Sequence, residues 1–174
     1  MKGKAWAVLG IALLMFSCYA CASRQVRTGL VPIPVVFDST IKALGIAGCD
    51  TLVNAPIVKL HPSVSKDNSM AEVLYHEMIH AKRMLAYPGG CREMMKKFRA
   101  EGSDNFRFTE ELIAHCATLN HYVPKEYRES AKGQLILALW MDRRWKPMPF
   151  TEVTRRVHLE CGGSDEAERQ ARSP

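Results

Sequence analysis

The 174-residue sequence lacks the patterns that mark several large classes of protein. No basic run is interleaved with aromatic residues and the net charge is only +6, so we expect no nucleic-acid binding. Beyond residue 22 no two cysteines are separated by two residues, which argues against a structural zinc site made of cysteines. No internal repeat is present. What remains is one domain with a core of its own, because 47% of the residues are hydrophobic.

The N-terminal segment, residues 1–22, has the layout of a bacterial export signal. A short basic start precedes the apolar stretch Ala5 to Phe16, which suits a signal peptide and is too short to span a bilayer comfortably. Ala20-Cys21-Ala22 offers a cleavage site. Leu14 to Cys18 also resembles a lipoprotein signal, in which a lipid on Cys18 attaches the chain to a membrane, and Cys21 is a weaker candidate. An uncleaved anchor is the third interpretation.

All three interpretations place the folded chain outside the cytoplasm, in the periplasm, at the cell envelope or as a secreted protein. Four cysteines lie beyond the signal, an even number in an oxidising compartment, and they predict two disulfides. Three pairings are possible among these residues, and the spacing does not choose between them: Cys49, Cys91, Cys116 and Cys161.

The central feature of the sequence is His76-Glu77-x-x-His80. Side chains four residues apart lie one above the other on the same face of a helix, so the two imidazoles can share one metal ion. Glu77 is close enough to reach a water molecule on that ion. This spacing is typical of a zinc site held by two histidines, in which the glutamate acts as the general base.

The surrounding residues predict a helix that carries this motif in its middle. Apolar residues recur with helical periodicity from Met70 to Leu85. Ser69 and Glu72 have the spacing of a capping box at its start, and Pro88-Gly89-Gly90 ends it. The motif therefore lies where a regular helix gives it the required geometry.

Over about Ile57 to His121 these features resemble those of the zincin metallopeptidases. The resemblance implies a bound Zn²⁺, an edge strand before the motif helix that pairs with an extended peptide substrate, and a third ligand after the helix. In the gluzincin branch that ligand is a glutamate on a downstream helix, with a small residue three positions later and a polar residue at the fourth. Glu111, Ala114 and His115 match this arrangement. Glu111 is thus the expected third ligand, and His115 is expected to contact a metal ligand and orient it.

Other residues remain open for these roles. Glu110 is the main rival as third ligand, and three further residues are alternatives to it: Asp104, His121 and Asp142. Zincins often place a tyrosine or histidine where it stabilises the oxyanion of the tetrahedral intermediate. The candidates for that role are Tyr75, His121 and Tyr122.

The whole pattern predicts an α+β, mainly helical domain over residues 35–161. Residues 23–34 show no periodicity and are expected to form a flexible lead, and residues 162–174 a disordered tail. Strands are expected at Val35–Phe37 and within Thr51–His61, where Pro56 favours an edge position or a strand start.

A turn is expected at Gly48-Cys49-Asp50, before the second of these strands. After the motif helix, the sequence predicts a helix at Cys91–Ala100 and another that Thr109 caps. A helix within Glu126–Trp145 is apolar on nearly all sides and is expected to be buried. A short helix or strand is expected at Thr151–Leu159.

The function that these features favour is that of an exported zinc metallopeptidase, a hydrolase whose substrate is a peptide or protein. An alternative from another class is a non-catalytic envelope lipoprotein that uses a zincin-like fold as a binding or structural module. A weaker possibility is hydrolysis of cell-wall amide bonds, although no wall-binding module is recognisable in the sequence.

Overall fold

The structure, a computed structural model, describes residues 24–28, 31–65, 69–142, 144 and 146–172. Within these residues four strands form one sheet, in the order β1-β2-β4-β3. The strands are β1 (Arg24–Thr28), β2 (Val31–Phe37), β3 (Gly45–Asp50) and β4 (Ala55–Leu60). The helices are α1 (Met70–Ala86), α2 (Gly90–Arg99), α3 (Asp104–Tyr122), α4 (Arg128–Met141) and α5 (Phe150–Arg172). The mainly helical α+β class is confirmed.

The sheet is mixed, and α1 covers one of its faces. β2 and β4 are parallel, whereas β1–β2 and β3–β4 are antiparallel. Alternate residues of β4 are buried, and Val58 and Leu60 pack with Met78 and Ala81 of α1. This alternation is the signature of a strand with one buried face, and it fixes the register in which β4 presents its neighbours to α1.

The edge strand beside the motif helix is β3, one strand earlier in the chain than predicted. β4 lies between β2 and β3 and is not an edge strand, so of the two alternatives for Pro56 the strand start is the correct one: this proline is the second residue of β4, opposite Cys49. The expected turn at Gly48-Cys49-Asp50 was also wrong, because these residues are the second half of β3. Two glycines in six residues gave the strand too little apolar signal to be recognised.

The expectation of a flexible lead at residues 23–34 was wrong for its described part. Residues 24–28 form β1, and β2 begins at Val31, within the predicted lead. Pro32 and Pro34 are two residues apart, so their nitrogens point to the same side of β2. β4 pairs only with Val35–Phe37 of β2. The two prolines therefore interrupt no hydrogen bonds between β2 and β4.

The prediction of a motif helix was confirmed, but its predicted cap does not form. α1 spans Met70–Ala86, and Ser69 occupies the N-cap position without a side-chain hydrogen bond. The expected cap at Thr109 was wrong as well: α3 begins at Asp104, and the Thr109 hydroxyl donates to the Asn105 carbonyl inside the helix. α3 therefore begins about two turns before Glu111, the residue that matters for the site.

The C-terminal helices differ from expectation in burial and in length. α4 buries Ile136 and Leu139 but leaves Leu137, Trp140 and Met141 substantially exposed, so the predicted all-round burial was wrong. α5 continues to Arg172, where a disordered tail from residue 162 was expected. Val153 and Val157 of α5 complete a second core with α3 and α4.

Two disulfides form, as predicted, and the structure selects their pairing. Cys49 of β3 is bonded to Cys91 of α2, and Cys116 of α3 is bonded to Cys161 of α5. Such bonds indicate a non-cytoplasmic environment. Among the described residues, no helix combines the length and the apolarity needed to cross a membrane. The predicted export signal lies outside the described residues.

Candidate metal centre

α1 presents its two motif histidines to the same point in space. The Nε2 atoms of His76 and His80 are 3.2 Å apart, and the rings meet edge to face. His80 is buried and His76 is half-buried. The i, i+4 spacing therefore gives the geometry expected of it, on the face of α1 that lies below the edge strand.

Glu111 of α3 completes a group of three possible ligands. Its carboxylate oxygens are 3.7 Å from His76 Nε2 and 3.9 Å from His80 Nε2. The three ligand atoms all lie within 4.8 Å of one another. α3 packs across α1, and this crossing brings together residues that are about 30 positions apart in the sequence.

The main rival, Glu110, is engaged elsewhere. Its carboxylate accepts two hydrogen bonds from the Arg83 guanidinium, from Nε at 2.5 Å and from a terminal nitrogen at 2.7 Å. Adjacent helical residues point about 100° apart, so Glu110 cannot share the direction of Glu111. Of the two adjacent glutamates, Glu110 is therefore buried in an ion pair with the partly exposed Arg83, and Glu111 is the candidate ligand.

The arrangement fits a tetrahedral ion. Two ligands bound about 2.1 Å from one tetrahedral centre are about 3.4 Å apart, close to the separation of the two histidine nitrogens. Two imidazoles and one carboxylate form a donor set that zinc takes in catalytic sites, where a fourth position stays open. The types of these three side chains and the separation of their donor atoms are therefore compatible with Zn²⁺.

Burial and charge prepare these donors for a cation. Burial lowers the pKa of His80 to about 4, so its imidazole is neutral at pH 7 and its lone pair is available. Burial alone would raise the pKa of Glu111, but His76, His80 and Arg144 outweigh it and lower that pKa to about 2. The Glu111 carboxyl group is consequently ionised at neutral pH.

Glu77 lies beneath the edge strand, on the same side of α1. Its carboxylate accepts a hydrogen bond from the Ala47 backbone, and burial raises its pKa despite the opposing effect of His76. Gly45 makes room for it, since a Cβ there would lie 2.8 Å from Glu77 Cγ and 2.7 Å from Val73 Cγ1. A carboxylate with a raised pKa beside the candidate ligands can both accept and return a proton.

His115 is the neighbour that its spacing predicted. Its Nε2 is 3.8 Å from a Glu111 oxygen, and its ring centroid is 4.5 Å from that of His76. Burial, with the nearby His76, lowers the pKa of His115 to about 4. The side chain therefore borders two candidate ligands as a neutral imidazole.

The predicted oxyanion candidates lie away from this centre. His121 stacks on Tyr75 with ring centroids 4.3 Å apart, and Tyr122 meets both rings edge-on. The Tyr122 hydroxyl donates to the Ala71 carbonyl at 3.0 Å. None of the three lines the cleft over the centre. They instead hold the end of α3 against the start of α1.

Neither acidic alternative joins the group of three. Asp104 pairs with Arg107 within α3, and Asp142 pairs with Arg144. Asp142 nevertheless affects the site indirectly. It accepts hydrogen bonds from both the backbone and the side chain of Arg144, and it thereby orients the Arg144 side chain.

Arg144 is a site residue that the sequence did not reveal. It follows α4, and its terminal nitrogen is 3.8 Å from a Glu111 oxygen while the guanidinium stays bonded to Asp142. It lines the cleft and is more than half exposed. No local pattern marks a loop arginine 33 positions after the nearest candidate ligand, so only the fold brings it to the site.

The cleft above these residues has a volume of about 760 Å³. It runs along α1, from Ser69 and Val73 past the motif to Met84, with Leu44 to Ala47 of the edge region along one side. No other described strand pairs with β3 on the side away from β4, so β3 is an edge strand, and its Ala47 backbone donates to Glu77.

Comparison of the chain with protein-family models, with curated proteins and with solved structures found no significant match.

Proposed function

We propose that this protein is an exported, zinc-dependent metallopeptidase of the gluzincin type. The observation that carries the proposal is the convergence of His76, His80 and Glu111 within 4.8 Å, with the Glu77 carboxylate buried beside them. The resemblance of the motif to zincins supports it. Zinc held there would polarise a carbonyl group and lower the pKa of a bound water.

Glu77 has the central chemical role in this proposal. Its raised pKa favours uptake of the proton that the attacking water loses, and the same carboxyl group can then donate that proton to the leaving amine. The hydrogen bond from Ala47 holds the carboxylate in place between these two steps. In this proposal the same Glu77 carboxyl group therefore carries out both proton transfers, from the water and to the leaving amine.

The open edge of β3 provides the binding mode for an extended peptide. Main-chain hydrogen bonds to an edge strand align a peptide without regard to its side chains. Because Ala47 of this strand also holds Glu77, a peptide paired with β3 would lie directly beside the proton acceptor. The pairing thus brings a scissile bond to the catalytic group.

Arg144 supplies positive charge at the open side of the centre. The transition state of amide hydrolysis places negative charge on the former carbonyl oxygen, and a fixed cation nearby stabilises it. The guanidinium donates to the Asp142 carboxylate, and this contact fixes it before substrate binds. In this proposal Arg144 replaces the tyrosine or histidine that the sequence led us to expect.

The proposed location follows from the disulfides and the N-terminal segment together. The two disulfides suit an oxidising compartment, and residues 1–22 supply the export signal. Attachment to a membrane through a lipidated Cys18 is part of the proposal, with a periplasmic or cell-envelope site of action.

The test is hydrolysis of a peptide pool by the zinc-loaded, disulfide-intact protein, compared with Glu77→Gln. The variant is expected to retain its zinc by elemental analysis and to lose about 10²- to 10⁴-fold in kcat/KM, the usual contribution of a general base. A variant that cleaves at the wild-type rate would contradict the assignment. Zinc binding by a wild type that cleaves no member of the pool would instead favour the non-catalytic binding module.

A further inference from the structure

The cleft changes character along α1. One turn beyond His80 its lining consists of Met84 of α1 with Met95 and Phe98 of α2, which together we call the apolar recess. Met84 is buried, whereas Met95 and Phe98 are half-buried and present part of their surface to the cleft. The charged residues of the lining lie elsewhere, around the candidate ligands and at the start of α1. Partly open methionine and phenylalanine side chains can enclose an apolar guest.

The wall that carries the recess is fastened to the edge strand. The disulfide between Cys49 of β3 and Cys91 of α2 joins the two sides of the cleft, with their Cα atoms 5.5 Å apart. The Asn54 side chain also donates to the Gly89 carbonyl and accepts from the Arg92 backbone N–H. The recess is therefore preformed, so little ordering is required when a ligand enters it.

Its distance from the candidate metal centre sets which side chain it would receive. His80 and Met84 are four residues apart on α1, a rise of about 6 Å. An extended peptide advances about 3.3 Å per residue, so the recess lies about two residues from the bond beside His80. Side chains of a peptide paired with β3 alternate in direction, and every second one points to the face that α1 and α2 form.

We propose that the apolar recess is the specificity-determining subsite of the cleft, and that it takes a large apolar side chain within two residues of the scissile bond. This inference depends on the proposed peptidase function for its catalytic consequence. It adds a substrate class, namely extended peptides with a Phe, Leu or Met at one fixed offset from the cleavage site.

The test uses alanine-rich peptides with capped ends, in which a single Phe, Leu, Asp or Lys occupies each position in turn. Mass spectrometry locates each cleavage by the zinc-loaded protein. We expect cleavage at one constant offset, at most two residues, from Phe or Leu. Cleavage that ignores the position of the apolar residue would overturn the inference while leaving the proposed function intact.

Variants then assign the preference to the recess. Met95→Ala is expected to lower the ratio of kcat/KM for the Phe peptide to that for the all-alanine peptide by on the order of tenfold. Met95→Lys is expected to raise the relative cleavage of the Asp peptide. The matched control is Leu85→Ala, a partly exposed residue of α1 that does not line the cleft, and it is expected to leave both ratios unchanged. Equal ratios in all four proteins would contradict the assignment.

A binding measurement keeps the inference testable without catalysis. By calorimetry, the metal-depleted protein is expected to bind the Phe peptide more tightly than the Asp peptide, and Met95→Lys is expected to reverse this order. If no peptide is cleaved but this order holds, the proposed function fails and the subsite stands. If the wild type binds both peptides equally, the subsite is refuted.

Discussion

α1 and α4 distribute their polar and apolar residues in opposite ways. α1 buries Glu77 and His80, which are 9% and 6% exposed, while α4 leaves Leu137 and Trp140 each 48% exposed. Buried titratable groups and exposed large apolar groups are both uncommon, and each is more informative than the reverse. α1 is arranged around a site, whereas α4 contributes a narrow apolar stripe to the second core. The two helices are equally hydrophobic on average, so composition alone does not reveal this difference.

Substitutions of two leucines in α4 should show how narrow that stripe is. Leu139 is buried in the second core, so Leu139→Ala is expected to lower the free energy of unfolding by about 2–5 kcal/mol. Leu137→Ala, on the exposed side, is expected to change it by no more than about 0.5 kcal/mol. Urea unfolding of the disulfide-intact proteins measures both. Equal losses would show that α4 is buried on both sides.

The packing of β3 on the polar face of α1 can be tested at Gly45. Gly45→Ala forces a Cβ against Val73 and Glu77 and is expected to cost about 1–3 kcal/mol in unfolding free energy. It should also reduce peptide hydrolysis, because the Glu77 carboxylate must move. The control is Gly48→Ala in the same strand, where the added Cβ meets Ile57 at 3.9 Å, an ordinary contact. A stable, fully active Gly45→Ala would contradict the packing of β3 on Glu77.

The buried histidine of α1 should make the metal-free protein sensitive to acid. The pKa of His80 is about 4 in the folded chain and about 6.5 when unfolded, so only the unfolded chain takes up a proton between those values. Stability should therefore fall as the pH drops from 6.5 to 4, by at most about 1.4 kcal/mol per pH unit for this group.

The measurement compares Glu77→Gln with Glu77→Gln/His80→Gln, because the raised pKa of Glu77 acts with the opposite sign. Urea unfolding across this pH range should give a flatter dependence for the double variant. Parallel curves would mean that His80 is not held neutral by burial.

Periodicity predicted the parts of the fold that depend on local pattern. The motif helix was predicted at Met70–Leu85 and lies at Met70–Ala86, because its apolar spacing is regular. The structure also brings Glu111 to the histidine pair, and the family resemblance had named it by its spacing. The helix depends on local periodicity alone, whereas Glu111 was named from a spacing within α3 and meets the histidines only because α3 packs on α1.

The features that the sequence missed depend on contacts between distant segments. β3 contains two glycines and a cysteine, so its place at the sheet edge follows from pairing with β4 and from the bond to Cys91. Arg144 reaches the centre only because the chain after α4 returns toward α3. The disulfide pairing needed the fold for the same reason, since spacing allowed three alternatives.

The most direct test of the account is the metal content of the purified protein and of two variants of adjacent residues. Elemental analysis should find one zinc per chain in the wild type and in Glu110→Ala, which breaks only the pair with Arg83. Glu111→Ala should lose the zinc. A wild type without zinc under metal-replete conditions, or a Glu111→Ala that keeps it as firmly as Glu110→Ala, would contradict the assignment of the centre.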